Sequence, residues 1–501
     1  MAKNLIGASW CDASDGKTIT ITNPATNEVI DTVPESTKED CDRAVASAKV
    51  AQKEWREVPI WERAERLMKF VSLVERDKDE LAKLLSDETG KPITEAVGEI
   101  ANVSIGVPAF CERAKHEYGT VLPAGHEKGQ EKTIQYTVQE PLGVVVAVIP
   151  FNFPSDLFCQ KVPPALLMGN AVILKPSAHN PLTLTKYVEL LLEAGIPGGV
   201  INLINGNGGF AVQTLAENPG VNLVTLTGST IAGAETMAKC AKNITHVTLE
   251  LGGNDAFILH KDGDIDLAVK ETIWGRLYNT GQVCCASKRF LVHKDVKDAF
   301  VEKLTEALKE MPVMMPSKPE ARIGCLISED AAKRVESQVN ETVAAGAKVV
   351  FGGRRKGAFY EPTILVDVTK DMEVAKDMEI FGPVIPIIEY EDIDEAIAIA
   401  NQSSYGLCGC VISENQKTCY YVAERMECGG MVINGHLSLD HLKCHLVVGN
   451  ILVSEMKVLC RHFMKCLEQR PLYLKIFYKE LLRVPFFFLK KRTKLVFVRL
   501  F

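Results

Sequence analysis

The sequence predicts an α/β protein with a doubly wound, mostly parallel sheet, followed by a second α/β portion. Three observations point there. Short continuous apolar runs rich in β-branched residues recur from residue 143 onward, as strands buried on both faces require. Stretches of helical spacing separate them. The strand-helix-strand alternation persists past a Gly252-Gly253 break to about Gly435, the pattern of crossover-linked parallel strands.

The elements follow in chain order. Residues 36–90 read as mostly helix. Between Trp61 and Leu85, the residues Leu67, Phe70, Val71, Val74, Leu81, Leu84 and Leu85 fall at helical spacing, and Gly90 and Pro92 stop the run. Gly143 to Pro150 is the first buried strand and Ala171 to Leu174 the second. Ser155 to Met168 between them suits a helix that Pro163 and Pro164 should kink or restart. Leu182 to Leu192 is a further helix, ended by Gly195 and Pro197. Val200 to Ile204, Leu223 to Leu226 and His246 to Leu249 continue the strands. The second portion holds helices over Asp295–Glu310 and Glu329–Ala345, with strands at Val349–Phe351 and Val384–Glu389.

Composition narrows the function. The 501 residues carry 57 Lys+Arg against 64 Asp+Glu, a net charge of −7. An acidic chain argues against nucleic acid or an anionic membrane as partner. Its apolar runs fall short of a membrane span, and residues 1–11 lack the basic and apolar regions of a secretory signal. The 15 cysteines are odd in number and scattered, which favours free thiols in a reducing, cytoplasmic compartment over a disulfide framework. No pair of C-x₂-C units has a zinc spacing, so no metal is expected.

Four clusters could carry chemistry. In Asn279-Thr-Gly-Gln-Val-Cys284-Cys285 a cysteine follows a glycine turn, where a ligand can approach and a thiolate can attack. Most cysteines are inert and buried, so the turn alone does not decide. Glu250-Leu-Gly-Gly-Asn254 places a carboxylate at a strand end, either as a general base or as a solvated turn residue. In Pro150-Phe-Asn152-Phe-Pro154 two prolines fix a turn whose amide either donates to an oxyanion or caps the turn. Lys175-Pro-Ser177 and Thr227-Gly228-Ser229-Thr lie at strand ends and suit the ribose and phosphates of a nucleotide. The G-x-G-x-x-G fingerprint of dinucleotide binding is absent.

Together with Glu379-Ile-Phe381-Gly-Pro383, these motifs resemble the aldehyde dehydrogenase superfamily in order and spacing, over roughly residues 5–436. The resemblance implies a Rossmann-type nucleotide-binding domain (1–120 and 143–250), an α/β catalytic domain (251–436) and a small oligomerisation hairpin (121–142), hence a homo-oligomer. It implies oxidation of a small-molecule aldehyde with hydride transfer to NADP or NAD. Cys284 would be the nucleophile, passing through a thiohemiacetal and a thioester, with Cys285 the lesser candidate. Asn152 and the Cys284 N–H would hold the oxyanion, and Glu250 would activate the hydrolytic water, which argues against transfer to coenzyme A. Lys175 would meet the adenosine ribose, Ser229 the pyrophosphate, and Glu379 and Phe381 the nicotinamide ribose, with Ser177 and Gly228 also cofactor-binding.

The chain departs from the family at three places. NAD-preferring members carry a glutamate where this chain has Ala178. Its loss removes repulsion toward a 2′-phosphate and favours NADP, with His179 as an extra contact. Members acting on succinate semialdehyde carry an arginine where this chain has Gln160, and Lys161 would point elsewhere on a helix. A neutral aldehyde is therefore favoured over succinate semialdehyde. Residues 437–501 are the third departure. They hold one glycine, 13 Lys+Arg, 4 Asp+Glu and nine of the 30 Phe and Tyr, a basic apolar tail that could also be read as a membrane-surface segment. The family motif P-F-G-G-x-K-x-S-G is missing. Yet His445 to Val453 can be encoded so that, with the last cytosine of a Cys444 codon, the frame one base earlier spells Pro-Phe-Gly-Gly-Trp-Lys-Tyr-Ser-Gly. The expectation is a frameshift shortly after His436. In the family this stretch lines the active-site mouth and completes a sheet of the partner subunit. Its loss would leave an edge strand unpaired; the alternative to an active enzyme is a catalytically impaired, nucleotide-binding form.

Overall fold

A computed structural model describes residues 2–117 and 139–436, short pieces between 121 and 136, and the strand segments Leu467–Glu468 and Leu495–Val498. Two sheets organise it. The first has seven strands in the order His246–Glu250, Leu223–Thr227, Val144–Val148, Ala171–Lys175, Ile201–Leu203, Asn4–Ile6 and Ser9–Cys11. Its first five are parallel and the last two join antiparallel. The chain runs outward from Val144–Val148 to Ile201–Leu203, then returns to build the other side. The strand order thus reverses between Val144–Val148 and Leu223–Thr227, and ligands settle beyond the carboxyl ends at such a reversal.

The second sheet runs Lys348–Phe351, Thr363–Val368, Val384–Tyr390, Ser287–His293, Asp255–Leu259, Cys408–Ile412, Gly430–Ile433 and Leu495–Val498. Only its first pair is antiparallel. The expected unpaired edge does not stand open at Gly430–Ile433, whose backbone pairs with Leu495–Val498. That run, Leu-Val-Phe-Val, has strand-forming residues throughout.

The strands are as continuous in apolar character as they read. Val144 to Ala147, Ala171 to Leu174 and Phe257 to Leu259 are essentially inaccessible to water. Helices Lys38–Trp55, Ile60–Arg76 and Lys78–Thr89 fill the predicted 36–90 stretch. Thr37 opens the first by a capping box with Asp40. The periodic stretch from Trp61 to Leu85 is two helices parted at Asp77, because the apolar stripe continues in register across one non-helical residue. Gly90 closes the third at φ +76, and a side chain there would strike Cys325.

The expected restart at Pro163-Pro164 is not found. Helix Pro154–Leu167 runs through both prolines and is buried along most of its length, so packing offsets the two missing amide donors. Among the described residues every cysteine is a free thiol, and no helix is long and apolar enough to cross a membrane. Within the expected oligomerisation hairpin (121–142), Val121–Leu122 pairs antiparallel with Gln135–Tyr136, while parts of it and nearly all of the tail (437–501) lie outside the described residues.

Candidate active site

The site forms where loops from the carboxyl ends of the first sheet meet loops at the amino ends of the second. Strand Val144–Val148 delivers Pro150-Phe-Asn152-Phe-Pro154, and Pro154 starts a helix at once. The Asn152 side chain is buried, and its Nδ2 donates to the Gln282 carbonyl at 3.1 Å. The Asn152 carbonyl accepts from Lys91 Nζ at 2.8 Å and Asn279 Nδ2 at 3.0 Å. The amide is thereby aimed at the loop that carries Cys284, two residues past Gln282.

That loop is strained. Asn279, Thr280 and Gly281 hold φ of +50, +55 and +77 in succession, a conformation that costs roughly 1–3 kcal/mol for each non-glycine residue. Gly281 has no alternative, since a Cβ would overlap the Gly382 carbonyl. Four contacts hold the loop. Glu95 Oε2 accepts the Asn279 N–H at 2.8 Å, Thr280 Oγ1 accepts from Gly324 at 3.1 Å, and Gln282 Oε1 accepts from Ile327 at 2.9 Å. Gln282 Nε2 donates back to the Asn279 carbonyl at 3.1 Å. Burial pushes the Glu95 carboxyl up to about 8. The two adjacent thiols part here, for Cys284 is half-buried and Cys285 is packed in an apolar cluster.

Glu250 ends strand His246–Glu250 and is half-buried; its backbone carbonyl accepts from the Gly228 N–H at 3.0 Å. The following Gly252-Gly253 turn must lack side chains. A Cβ on Gly252 would strike the Glu379 carboxylate, and one on Gly253 would sit 2.6 Å from the Cys284 carbonyl. Glu379 Oε1 accepts the Gly253 N–H at 3.3 Å. Phe381 meets Phe151 edge to face at 6.0 Å, and Phe151 meets His179 in the same way at 6.4 Å.

Lys175 ends its strand fully buried, with Nζ donating to the Pro176 carbonyl at 2.6 Å, and burial pushes its ammonium down to about 8. Ser177 Oγ accepts from the His179 N–H at 3.1 Å. Gly228 leads into the exposed Ser229, which caps helix Thr230–Ala241 by accepting from Ala232. Gln160 is buried on helix Pro154–Leu167, and the adjoining Lys161 turns to Thr225 Oγ1 at 3.0 Å, away from the Gln160 side as expected.

The structure brings Asn152, the Cys284 loop, the Gly252-Gly253 turn and the Glu379 loop together through direct contacts. Lys175 and Ser177 share the carboxyl edge with Gly228 and Ser229, on strands flanking Val144–Val148. Several residues of the site escape sequence reasoning. Lys91 pairs with Glu99, lies 3.9 Å from the Phe153 ring centre, and Glu99 accepts the Ser155 N–H at 2.8 Å. Arg276 donates to the carbonyls of Val384 at 2.6 Å, Ile380 at 2.8 Å and Gly281 at 3.4 Å. Lys288 is also buried here. No local sequence signal marks these residues; Lys91, between Gly90 and Pro92, and Arg276 are explained only by contacts that the fold brings together.

The sequence matches the Aldehyde dehydrogenase family over residues 10–447. The chain belongs to that family. It is 39% identical over 430 residues to glutarate-semialdehyde dehydrogenase of Pseudomonas putida, a match covering 86% of this chain and 88% of the relative. It is 36% identical over 433 residues to succinate-semialdehyde dehydrogenase [NADP(+)] GabD of Escherichia coli, covering 86% and 89%. The crystal structure of succinate-semialdehyde dehydrogenase from Burkholderia pseudomallei superposes with a TM-score of 0.84 at 36% identity, covering 87% of this chain and 90% of that one. This family member is accordingly an NAD(P)-dependent oxidoreductase acting on aldehydes. The impaired, nucleotide-binding form raised by the tail gains no support from these likenesses.

Proposed function

We propose that Cys284, Asn152 and Glu250 oxidise an aldehyde to a carboxylic acid through a covalent thioester. The carrying observation is the 3.1 Å contact of Asn152 Nδ2 with the Gln282 carbonyl, which holds an amide donor against the loop that carries the half-buried Cys284. The Cys284 thiolate attacks the carbonyl carbon, a C–S bond forms, and the carbonyl electron pair moves onto oxygen. A remaining N–H of Asn152 and the Cys284 N–H donate to that oxyanion. A nicotinamide dinucleotide, when bound, supplies the hydride acceptor that converts this thiohemiacetal to a thioester. Glu250 then takes a proton from water as it attacks the acyl carbon, and the acid leaves with the thiol regenerated.

The donor set fits a dinucleotide: a buried lysine and Ser177 at one strand end, an exposed helix amino terminus at Gly228-Ser229, and Glu379 with Phe381 beside the nucleophile loop. Ala178 in place of a glutamate supports NADP over NAD, as does the NADP(+)-named relative. For the substrate, the buried Gln160 supports a neutral aldehyde, whereas the relatives named for glutarate and succinate semialdehyde support an ω-carboxylated one. We also infer that the residues after His436 are read out of frame. The supporting observations are that the family match stops at residue 447, leaving 448–501 unmatched, and that His445 to Val453 can be encoded so that the neighbouring frame spells the missing motif.

Purified protein is assayed for reduced cofactor with NAD and NADP across neutral aldehydes and semialdehydes. Cys284→Ala is expected to lower turnover by about 10³-fold or more, and Cys285→Ala by less than about threefold. The reverse pattern overturns the nucleophile assignment. A preference above about tenfold for either aldehyde class decides between the two substrate readings.

A further inference from the structure

We infer that Lys288 is a positioning residue that ties the nucleophile to the cofactor-holding carboxylate. This rests on the reading of Cys284 and Glu379 given above. The side chain of Lys288 is essentially inaccessible to water. Its Nζ lies 2.6 Å from the Cys284 carbonyl, 3.3 Å from Glu379 Oε1 and 5.9 Å from the centre of the Phe381 ring. One cation therefore touches the backbone of the nucleophile and both side chains assigned to the nicotinamide ribose.

The surroundings leave this cation little freedom. Glu379 Oε1 also accepts the Gly253 N–H, and the glycine turn admits no side chain against either Glu379 or the Cys284 carbonyl. Holding the Cys284 carbonyl fixes one of the two backbone torsions of the nucleophile. Holding Oε1 orients the carboxylate and leaves Oε2 to accept ribose hydroxyls. A buried ammonium with one carboxylate and one carbonyl has a specific geometry to enforce, and a neutral side chain of similar length cannot enforce it.

The test uses the full-length protein carrying Lys288→Met, Lys288→Arg, Glu379→Gln, and Lys288→Met with Glu379→Gln. Alkylation of Cys284 with iodoacetamide titrates active sites, so misfolded protein is subtracted. Lys288→Met is expected to raise the cofactor KM about tenfold and lower kcat per titrated site about tenfold, and Lys288→Arg to recover part of both. The double variant is expected to show a cofactor KM no higher than the worse single variant, because the lysine acts through the carboxylate. An unchanged cofactor KM in Lys288→Met, with the whole loss in the titrated fraction, marks a merely structural lysine and overturns the inference alone. So do strictly additive effects in the double variant. An unchanged cofactor KM in Glu379→Gln overturns the Glu379 assignment, and the inference with it.

Discussion

At the scale of single residues, the site sets charged groups where water cannot reach them, and Lys175 makes the consequence measurable. Burial pushes its ammonium down to about 8, so the cation is present below that pH and lost above it. With Lys175 meeting the cofactor as proposed, a phosphorylated, anionic cofactor would bind the charged form. The cofactor KM is expected to be flat below about pH 8 and to rise toward tenfold per unit above it. Lys175→Met is expected to raise KM at low pH and flatten the profile. Stability moves the opposite way: the unfolded lysine keeps its proton to about 10.4, so stability rises between about pH 8 and 10. KM and denaturant midpoints measured from pH 6.5 to 10 check both signs, and a KM profile flat in the parent protein removes Lys175 from the anion site. Residues of this kind divide in legibility. Asn152, Cys284 and Glu250 stand at proline or glycine turns after strands, where local chemistry marks them. Lys91 and Arg276 are marked by nothing local, because partners lie far along the chain: 61 residues separate Lys91 from Asn152, and 108 separate Arg276 from Val384; Lys288 reaches the Cys284 carbonyl nearby but Glu379 only through the fold.

At the scale of elements, the Asn152 loop is held from beneath by the helix Ile93–Ala101. Lys91, just before that helix, donates to the Asn152 carbonyl, while Glu99 within it neutralises the lysine and accepts from Ser155 at the start of helix Pro154–Leu167. Both charges are fully buried. Lys91→Met strands the Glu99 carboxylate and is expected to cost about 3–5 kcal/mol of stability. Adding Glu99→Gln should recover most of that loss, because the amide oxygen still accepts from Ser155. Turnover should stay at least about tenfold low in the double variant, since the Asn152 carbonyl keeps only its contact with Asn279. Chemical denaturation and turnover of the three proteins separate the two effects; a single Lys91→Met variant within about 1 kcal/mol of the parent contradicts the buried-pair account. Strand legibility follows from the same physics. Val144–Val148 and Ala171–Lys175 are buried on both faces and read as unbroken apolar runs. Helix Ile265–Leu277 carries no apolar stripe and helices Gly208–Glu217 and Gln416–Arg425 are short, so periodicity gave no sign of them.

At the scale of the whole molecule, the tail breaks with the body in composition and in charge. Residues 437–501 carry one glycine and a net charge of +9, leaving −16 on the rest, so a domain rich in glycine turns gives way to a basic run with almost none. Selection for a fold keeps glycine where the backbone turns left-handed; translation in a shifted frame keeps no such position. Cys444 through Val453 can be encoded so that the frame one base earlier spells the missing family motif, which is what a frameshift requires. DNA sequencing of the gene is expected to show CCN TTY GGN GGN TGG AAR TAY TCN GGN one base out of register with the present frame, N, Y and R being the usual degenerate bases. DNA in which that frame does not spell the motif refutes the frameshift. The repaired frame carries a second expectation. The edge at Gly430–Ile433 is now covered by Leu495–Val498, a pairing that the repaired chain no longer encodes. Exposed edges recruit strands from other copies, so the repaired protein is expected to associate further than the present one at equal concentration. Sedimentation of the two proteins decides this, and equal association states would show that the edge is not where copies meet.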